Sequence, residues 1–236
     1  MGTDTPQHRD PEFDHVIESY DAELAQGLAV SGESKEFFAE GRITWLGECL
    51  EALEFRAGDV LDFGCGAGAA APFLSKLPGV RSVLGVDVSP KSLRVAQELH
   101  GGPQVRFEVT NQYRPCGALD LAFCNGVFHH IPVAERSAAV RYVFEALRPG
   151  GHFSFWENNP WNPGTRYVMS RVPFDRDAIT LSVLQAKRLL RSAGFEVVRS
   201  DFLFFFPRAL KALRPLERRL ASLPLGAQYQ VLVRKP

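Results

Sequence analysis

Three glycines and two aspartates occupy positions where they could bind a nucleoside-like ligand. Gly64, Gly66 and Gly68 follow a short apolar run and precede a helix-forming stretch. Because glycine lacks a side chain, the backbone can turn tightly there and approach a ligand closely. Asp62 lies just before the first glycine, and Asp87 ends the next apolar run. A carboxylate in that second position can accept hydrogen bonds from two ribose hydroxyls.

The spacing of the glycines narrows the kind of ligand. The pattern G-x-G-x-G differs from the G-x-G-x-x-G typical of dinucleotide-binding loops, which argues against a nicotinamide-dependent dehydrogenase. Asp87 could instead cap the helix that is predicted to begin at Pro90, but Ser89 is better placed for that role. We therefore interpret Asp87 as a ribose-binding residue.

The segment Leu61–Gly68 resembles the first motif of the class I S-adenosylmethionine-dependent methyltransferase family. The resemblance runs from about Gly58 to Arg234, and it implies S-adenosylmethionine as the cofactor. In that family the glycine turn passes beside the adenosine and methionine portions of the cofactor, and Asp62 would lie near the methionine end. Cys65 and Val88, within and just beyond these two motifs, join the cofactor-binding candidates.

Three further cofactor contacts follow from the resemblance. The stretch Asp120–Pro132 resembles the fourth motif, in which Asn125 and Gly126 would present backbone to the methionine end. After the third strand the family usually has an acidic residue that meets the adenine amino group, and here the candidates are the amides of Asn111 and Gln112, for which a simple loop role is the alternative. Arg42 could bind the cofactor's carboxylate, or it could be an exposed helix arginine.

Two adjacent histidines are candidates for the chemistry at the methyl group. Methyl transfer from a sulfonium is an in-line displacement, so the enzyme must mainly align the reacting atoms and exclude water. A base is needed only when the acceptor must lose a proton. His129 and His130 follow the fourth strand, and either could be that base or a structural part of the motif. Because they are neighbours, we expect them to point in different directions, with at most one facing the acceptor.

The polar loop after the fifth strand is expected to shape the acceptor site. Glu157 ends that strand and could bind a cationic amine, act as a base, or hydrogen-bond the nearby backbone as a turn residue. Asn158, Asn159 and Trp161 follow in a segment broken by prolines, a composition suited to a shaped loop over a pocket. This loop should decide which acceptor is methylated.

Short apolar runs alternate with helical stretches from Gly58 onward, which predicts an α/β fold. We expect a Rossmann-like, seven-stranded methyltransferase sheet that is mostly parallel with an antiparallel last strand, has helices on both faces and carries a helical N-terminal cap. The predicted strands cover Val60–Phe63, Val83–Val86, Val105–Val109, Leu119–Cys124, His152–Trp156, Phe195–Phe206 and Ala227–Val233. The predicted helices cover Ala69–Leu77, Pro90–Leu99, Ala134–Leu147 and Leu184–Ala193, and Pro149–Gly151 should form the turn into the fifth strand.

The chain divides into two predicted parts. Residues 1–55 comprise a loose terminus, up to about Glu12, and a helical cap, while residues 56–236 form the catalytic domain. The aromatic run Phe202–Phe206 is interpreted as buried strand rather than lipid contact. A basic helical segment follows, and we interpret its cations as a solvated helix face; they are Arg208, Lys211, Arg214, Arg218 and Arg219.

Composition argues for an ordinary globular protein. Apolar residues make up 45% of the chain, and 27 basic residues balance 27 acidic ones, so net charge favours neither nucleic acid nor an anionic membrane as a partner. No stretch predicts a signal peptide or a membrane span. The four cysteines show no metal-ligand spacing, so no metal is predicted and a reduced, cytoplasmic protein is expected; they are Cys49, Cys65, Cys116 and Cys124.

These features favour a methyltransferase that acts on an oxygen or nitrogen of a small-molecule metabolite, with biosynthetic tailoring as the setting. Methylation of a lipid-linked or macromolecular acceptor is one alternative. A non-catalytic module that only binds the cofactor is another. The acceptor and the oligomeric state do not follow from the sequence.

Overall fold

The computed structural model describes residues 27, 31–172, 175 and 178–236. The predicted loose terminus and the start of the cap lie outside the described residues. The helices are α1 (Lys35–Ala52), α2 (Ala71–Leu74), α3 (Pro90–His100), α4 (Arg136–Ala146), α5 (Pro163–Arg171), α6 (Val183–Ser192), a 3-10 helix (Arg208–Leu216) and α7 (Glu217–Leu220). The strands are β1 (Asp59–Phe63), β2 (Ser82–Asp87), β3 (Val105–Val109), β4 (Leu119–Asn125), β5 (Leu147–Asn158), β6 (Glu196–Leu203) and β7 (Gln228–Arg234).

Within the described residues, seven strands form one sheet in the order β3-β2-β1-β4-β5-β7-β6. Strands β1 to β5 pair in parallel, and β7 runs antiparallel to both β5 and β6. The predicted fold class, with an antiparallel last strand, is therefore confirmed. Because the central strands are parallel, their carboxyl ends lie along one edge of the sheet, where such folds bind ligands.

Helices cover both faces of the sheet, which explains why its central strands are apolar on both sides. On one face, α4 and α6 pack through Val140, Val143, Ala186 and Leu190. On the other face, α1 and α2 pack through Ile43, Leu46 and Leu74 against sheet residues that include Trp156 and Leu232. Helix α1, which lies in the predicted cap, thus shares the hydrophobic core of the sheet.

Three predicted elements differ from the structure, two of them for local backbone reasons. The segment Pro149–Gly151 does not form a turn ahead of the fifth strand, because β5 already begins at Leu147 and this segment lies within it, at a shift in the pairing register with β4. The predicted strand Phe195–Phe206 ends at Leu203, since Phe204 has a positive φ of 63° that a strand cannot continue. The predicted helix Ala69–Leu77 is reduced to a single turn.

Replacing Leu46 with alanine tests whether α1 is part of the core. Leu46 is fully buried, so Leu46→Ala should lower the free energy of unfolding by about 3 kcal/mol. Leu53, at the end of the same helix, is 40% exposed, and Leu53→Ala should change that free energy by less than about 1 kcal/mol. Urea denaturation of both variants measures the difference, and equal losses would contradict this assignment.

Candidate active site

Two cavities adjoin each other at the carboxyl edge of the sheet. The larger, of about 450 Å³, lies over the glycine loop and is called the loop cavity. The other, of about 340 Å³, is called the aromatic cavity. Both are lined by residues that include Arg42, Asn125, Gly126 and His130. Two ligands, one in each cavity, would therefore meet at these residues.

The glycine loop is held open toward the loop cavity by backbone geometry. Gly64 has a φ of 68°, and a Cβ added to it would lie 2.5 Å from the side chain of Val127. A Cβ on Gly66 would meet nothing within 4 Å, so this residue faces open space. The Gly66 N–H donates to Asp87 Oδ2 at 2.9 Å, and the Ser89 N–H donates to Asp87 Oδ1 at 2.9 Å. Asp87 therefore positions the loop while it lines the cavity.

A second carboxylate lies deeper in the loop cavity. Asp62 is buried, and its Oδ2 has no hydrogen-bond partner among the described residues. Burial and the nearby charge of Asp87 raise its pKa to about 7, against the opposing effect of Arg42. The Oδ1 atom of Asn125 is likewise buried without a partner. An ammonium group would satisfy these acceptors, because a buried polar atom without a hydrogen bond is costly.

Some of the remaining candidates for cofactor binding line the loop cavity, and others lie outside it. Cys65 and Val88 line the loop cavity. Asn111 and Gln112 are exposed and lie outside its lining; Thr110 takes that place. Gly68 also lies outside the lining, and a Cβ there would meet Phe107, so its role is to let β3 and the loop pack closely. Because the chain turns outward immediately after Thr110, the adenine contact of Asn111 or Gln112 stays a prediction.

Arg42 is buried between the two cavities. Its Nη1 donates to Gln228 Oε1 at 2.8 Å, and Gln228 Nε2 donates to Asn158 Oδ1 at 3.1 Å. The alternative that Arg42 is an exposed helix arginine is wrong, since only 7% of its surface is accessible. Its charge therefore lies beside the loop cavity, where it could pair with a carboxylate.

Aromatic side chains from two distant segments form the wall of the aromatic cavity. Phe37 and Phe38 come from α1, and the Phe38 and Phe204 rings pack edge to face with centroids 4.9 Å apart. Phe202 and Leu203 are buried strand residues as predicted, whereas the next three residues leave the strand and line the cavity. The apolar lining comprises Phe37, Phe38, Val168, Met169, Val172, Phe204, Phe205 and Phe206.

The polar loop after β5 contributes less than predicted. Asn158 lines the aromatic cavity, but Asn159 and Trp161 do not. Asn159 is buried, and its Nδ2 donates to the carbonyls of Pro224 and Gly226, which ties this loop to the one before β7. The Trp161 side chain lies on the surface. Asn162 and Thr165, which the sequence did not single out, line the cavity instead.

A buried cluster joins the two histidines to two carboxylates. Glu157 Oε2 lies 2.5 Å from His129 Nδ1, and Glu157 Oε1 accepts from the Phe128 N–H at 2.7 Å. Asp175 Oδ1 lies 3.5 Å from His129 Nε2 and 3.4 Å from His130 Nε2. The two histidine rings, 4.1 Å apart, therefore converge on one carboxylate, and the expectation that they point apart is wrong.

The electrostatics give the histidines different roles. Burial disfavours the charged form of His129, but the charges and hydrogen bonds of Glu157 and Asp175 outweigh it and raise its pKa to about 10. These partners therefore favour the protonated form of His129, which makes it the poorer candidate for a base. Glu157 is fully buried and outside both cavity linings, so it is not positioned to touch an acceptor. Of the three catalytic candidates, His130 lines both cavities.

Asp175 was missed by sequence reasoning, because no local motif surrounds it. It lies after α5, far along the chain from the histidines, and only folding brings it to them. Burial opposes its ionisation, but hydrogen bonds from His129 and His130 lower its pKa below the usual value. The ligating atoms of His129, His130 and Asp175 lie within 4.8 Å of one another, so this group could also hold a cation, although the cysteine spacing predicted no metal.

Comparison with known proteins finds similarity to methyltransferases in the central part of the chain. Residues 60–151 match the family model described as "Methyltransferase domain". The ubiquinone biosynthesis O-methyltransferase of Cupriavidus pinatubonensis is 33% identical over 164 residues, which cover 63% of this chain and 64% of that relative. The methyltransferase tpcM of Aspergillus fumigatus is 35% identical over 42% of this chain and 31% of its own length. The chain thus spans less than two thirds of these relatives.

Solved structures share the fold over nearly the whole chain. A protein from Thermotoga maritima, described as a possible histamine N-methyltransferase, has a TM-score of 0.67 at 18% identity and covers 95% of this chain and 98% of that one. The [4+2]-cyclase SpnF has a TM-score of 0.60 at 17% identity and covers 96% of this chain and 98% of that one. At such identities the likeness concerns the fold alone.

The protonated state of His129 has a measurable effect on stability. Because its folded pKa of about 10 exceeds the ordinary value of 6.5, its contribution is fully present below about pH 6.5 and is lost as the pH rises through about 10. Between pH 7 and 9 the chain should lose about 1 kcal/mol of unfolding free energy per pH unit relative to His129→Gln. Urea denaturation at several pH values measures the two slopes, and parallel slopes would rule out an imidazolium.

Proposed function

We propose that the chain methylates a small apolar molecule with S-adenosylmethionine, because residues 60–151 match a methyltransferase domain model and the sheet has the class I methyltransferase fold. The observation that carries the proposal is the junction of the loop cavity with the aromatic cavity at Asn125, Gly126 and His130. A methyl donor in one cavity and an acceptor in the other would meet at that junction, where displacement at a methyl carbon requires the reacting atoms to be aligned.

The loop cavity fits the cofactor on chemical grounds. S-adenosylmethionine supplies a methyl group made electrophilic by its bond to a sulfonium. Asp87 would accept from the ribose hydroxyls, as it has lone pairs beyond those used by the backbone. Asp62, with its unpartnered Oδ2, would accept from the ammonium group, and Arg42 would pair with the carboxylate. Gly66 leaves the space into which the cofactor would pack.

The aromatic cavity supports an apolar, hydroxylated acceptor. Its phenylalanines would contact rings or hydrocarbon chains and exclude water from the reacting atoms. Oxygen is the better supported acceptor atom, because the Cupriavidus relative is named an O-methyltransferase; that relative is also named for ubiquinone biosynthesis. A biosynthetic tailoring step on a hydroxylated aromatic compound agrees with both observations.

His130 is the base of the proposed reaction, and Asp175 is its positioning residue. A hydroxyl at the junction would lose its proton to His130 as the new carbon–oxygen bond forms. Asp175 would orient the His130 ring and stabilise the imidazolium that results. His129 holds Asp175 from its other side, and Glu157 in turn holds His129. The cluster thus fixes the orientation of the His130 side chain at the junction.

A reaction without methyl transfer is the second candidate. The fold of the [4+2]-cyclase SpnF shows that the same architecture accompanies a chemistry other than methylation. Incubation with methyl-labelled S-adenosylmethionine and a panel of phenols, catechols and amines separates the two candidates. Labelled product supports the proposal, whereas cofactor binding without any methyl transfer supports a different use of the site.

The affinity for S-adenosylhomocysteine should depend on the ionisation of Asp62. Because its pKa is about 7, the carboxylate that accepts the ligand's ammonium group forms as the pH rises through neutrality. The Kd should therefore fall by about tenfold between pH 6 and pH 8. In Asp62→Asn the Kd should be higher and nearly independent of pH over this range. Isothermal titration measures the Kd of the unaltered chain and of the variant at each pH. An unchanged Kd in the variant would show that Asp62 does not contact the ligand.

Replacing His130 tests the base. His130→Gln should lower kcat by about 10²-fold or more while leaving the Kd for S-adenosylhomocysteine within about threefold. Asp175→Asn should lower kcat by about tenfold and shift the pH profile, because the histidine loses its orienting charge. Label transfer in single-turnover assays gives these rates, and full activity of His130→Gln would show that no base acts there.

Chelation separates the base from a bound cation. If His130 takes the proton, treatment with EDTA leaves kcat unchanged. If EDTA abolishes turnover and added Mg²⁺ or Zn²⁺ restores it, a cation on His129, His130 and Asp175 acts in place of the base. Neither result changes the assignment of the cofactor site.

A further inference from the structure

The segment after the aromatic cavity has a three-residue repeat. Residues 208–216 read Arg-Ala-Leu, Lys-Ala-Leu, Arg-Pro-Leu, and they form the 3-10 helix. A 3-10 helix has three residues per turn, so side chains three positions apart lie above one another. Leucines therefore form one row and cations another, apart from a local departure from helical geometry at Leu210. The rows are at positions 210, 213 and 216 for leucine and 208, 211 and 214 for the cations.

The leucine row faces outward. Leu210, Leu213 and Leu216 are 40–48% exposed, and no residue of the 3-10 helix is buried. Leu223 and Leu225, in the loop before β7, are 43% and 63% exposed and extend the apolar surface. Single exposed leucines are ordinary, but five exposed leucines within 16 residues of chain are a concentration of apolar surface of the kind that tends to mark an interaction site.

The same segment carries a local positive charge in a chain that is neutral overall. Among the described residues, its five cations outnumber the carboxylates found to pair with the segment. Arg214 pairs with Glu33 at 2.6 Å, Arg218 pairs with Glu48, and Glu217 accepts from the backbone N–H groups of the phenylalanine run. Five cations against these three carboxylates leave a net positive charge, so the segment suits an anionic surface.

The position of the segment connects it with the aromatic cavity. It begins directly after Phe204–Pro207, which line that cavity. At its other end Asn162 Nδ2 donates to the Leu225 carbonyl at 2.6 Å, which brings the exposed Trp161 side of the polar loop beside the leucines. Tryptophan beside leucines and cations is typical of the interface between lipid and water.

We propose that residues 208–225 dock the protein on the surface of an anionic lipid bilayer. The leucine row enters the headgroup region, while Lys211, Arg219 and their neighbours contact lipid phosphates. The helices in the described part of the chain lack the length and apolarity of a membrane span. The solvated helix face inferred from the sequence is thus a docking surface. With the proposed function, docking would place the aromatic cavity where an apolar acceptor leaves the lipid.

Vesicle co-sedimentation of the full chain tests the docking. Vesicles of phosphatidylcholine mixed equally with phosphatidylglycerol should bind the protein, and pure phosphatidylcholine should bind it roughly tenfold more weakly. Leu213→Ser combined with Leu216→Ser should weaken binding to the mixed vesicles by about tenfold or more. Lys211→Glu combined with Arg219→Glu should also weaken vesicle binding, and the loss should be larger at low salt than at high salt.

The matched control removes two leucines elsewhere on the surface. Leu99 on α3 and Leu184 on α6 are 66% and 55% exposed, and Leu99→Ser combined with Leu184→Ser should leave vesicle binding unchanged. Because all four leucines are exposed, thermal melts should show that both double variants fold. Equal binding by the two double variants, or no binding of the unaltered chain to anionic vesicles, would overturn the proposal.

Light scattering distinguishes lipid docking from self-association. A dimer that Leu213→Ser with Leu216→Ser converts to a monomer would assign the leucine row to a second copy of the chain and overturn the proposal. Binding of S-adenosylhomocysteine and methyl transfer to water-soluble acceptors do not depend on docking. If the unaltered chain binds S-adenosylhomocysteine and transfers methyl groups but does not bind anionic vesicles, the docking alone is contradicted. If it binds the vesicles but neither binds S-adenosylhomocysteine nor transfers methyl groups, the proposed function alone is contradicted.

Discussion

The parallel pairing of the five strands β1 to β5 is the constraint on which the rest of this structure depends. Parallel strands end at the same edge of the sheet, so residues that are far apart in the chain meet there once their strands pair. Asp62, Asp87 and Asn125 reach the loop cavity from three strands, and Glu157 stands at the end of a fourth. Strand β7 inserts between β5 and β6 and brings Gln228 to the same edge.

Most buried charged groups at this edge are stabilised by a hydrogen bond or an ion pair. Asp87 is held by two backbone N–H groups, and His129 lies between two carboxylates. Charges taken out of water are costly unless they are paired, so the Glu157–His129–Asp175 series is stable only as a unit. Asp62 differs, since one of its oxygens has no hydrogen bond among the described residues. That difference supports the proposal that Asp62 accepts a hydrogen bond from a ligand.

A single backbone feature links the aromatic cavity with the exposed leucines. At Phe204 the chain leaves β6 with a positive φ, and the Phe204 and Phe206 N–H groups, freed from strand pairing, donate to Glu217. This turn directs three phenylalanines into the cavity and places the 3-10 helix beside it. Glu217 lies within the segment that carries the leucine and cation rows, so one carboxylate fixes both the cavity wall and the surface next to it.

The sequence by itself determined the fold class, the glycine loop with Asp62 and Asp87, and the identity of the central strands. These depend on short-range patterns: apolar runs of strand length, glycines where the backbone must turn, and a carboxylate at a strand end. It did not determine that Asn111 and Gln112 lie outside the loop cavity, that Glu157 is held away from the acceptor, or that Asp175 joins the histidines.

Those outcomes were decided by tertiary structure, because each depends on the direction of a side chain or on the meeting of distant segments. Phe37 and Phe204 share a cavity only after α1 packs across the sheet, and His129 is protonated only because Glu157 and Asp175 flank it in a buried place. A local pattern records which residues can pair. Which of them do pair depends on packing that a linear spacing does not encode.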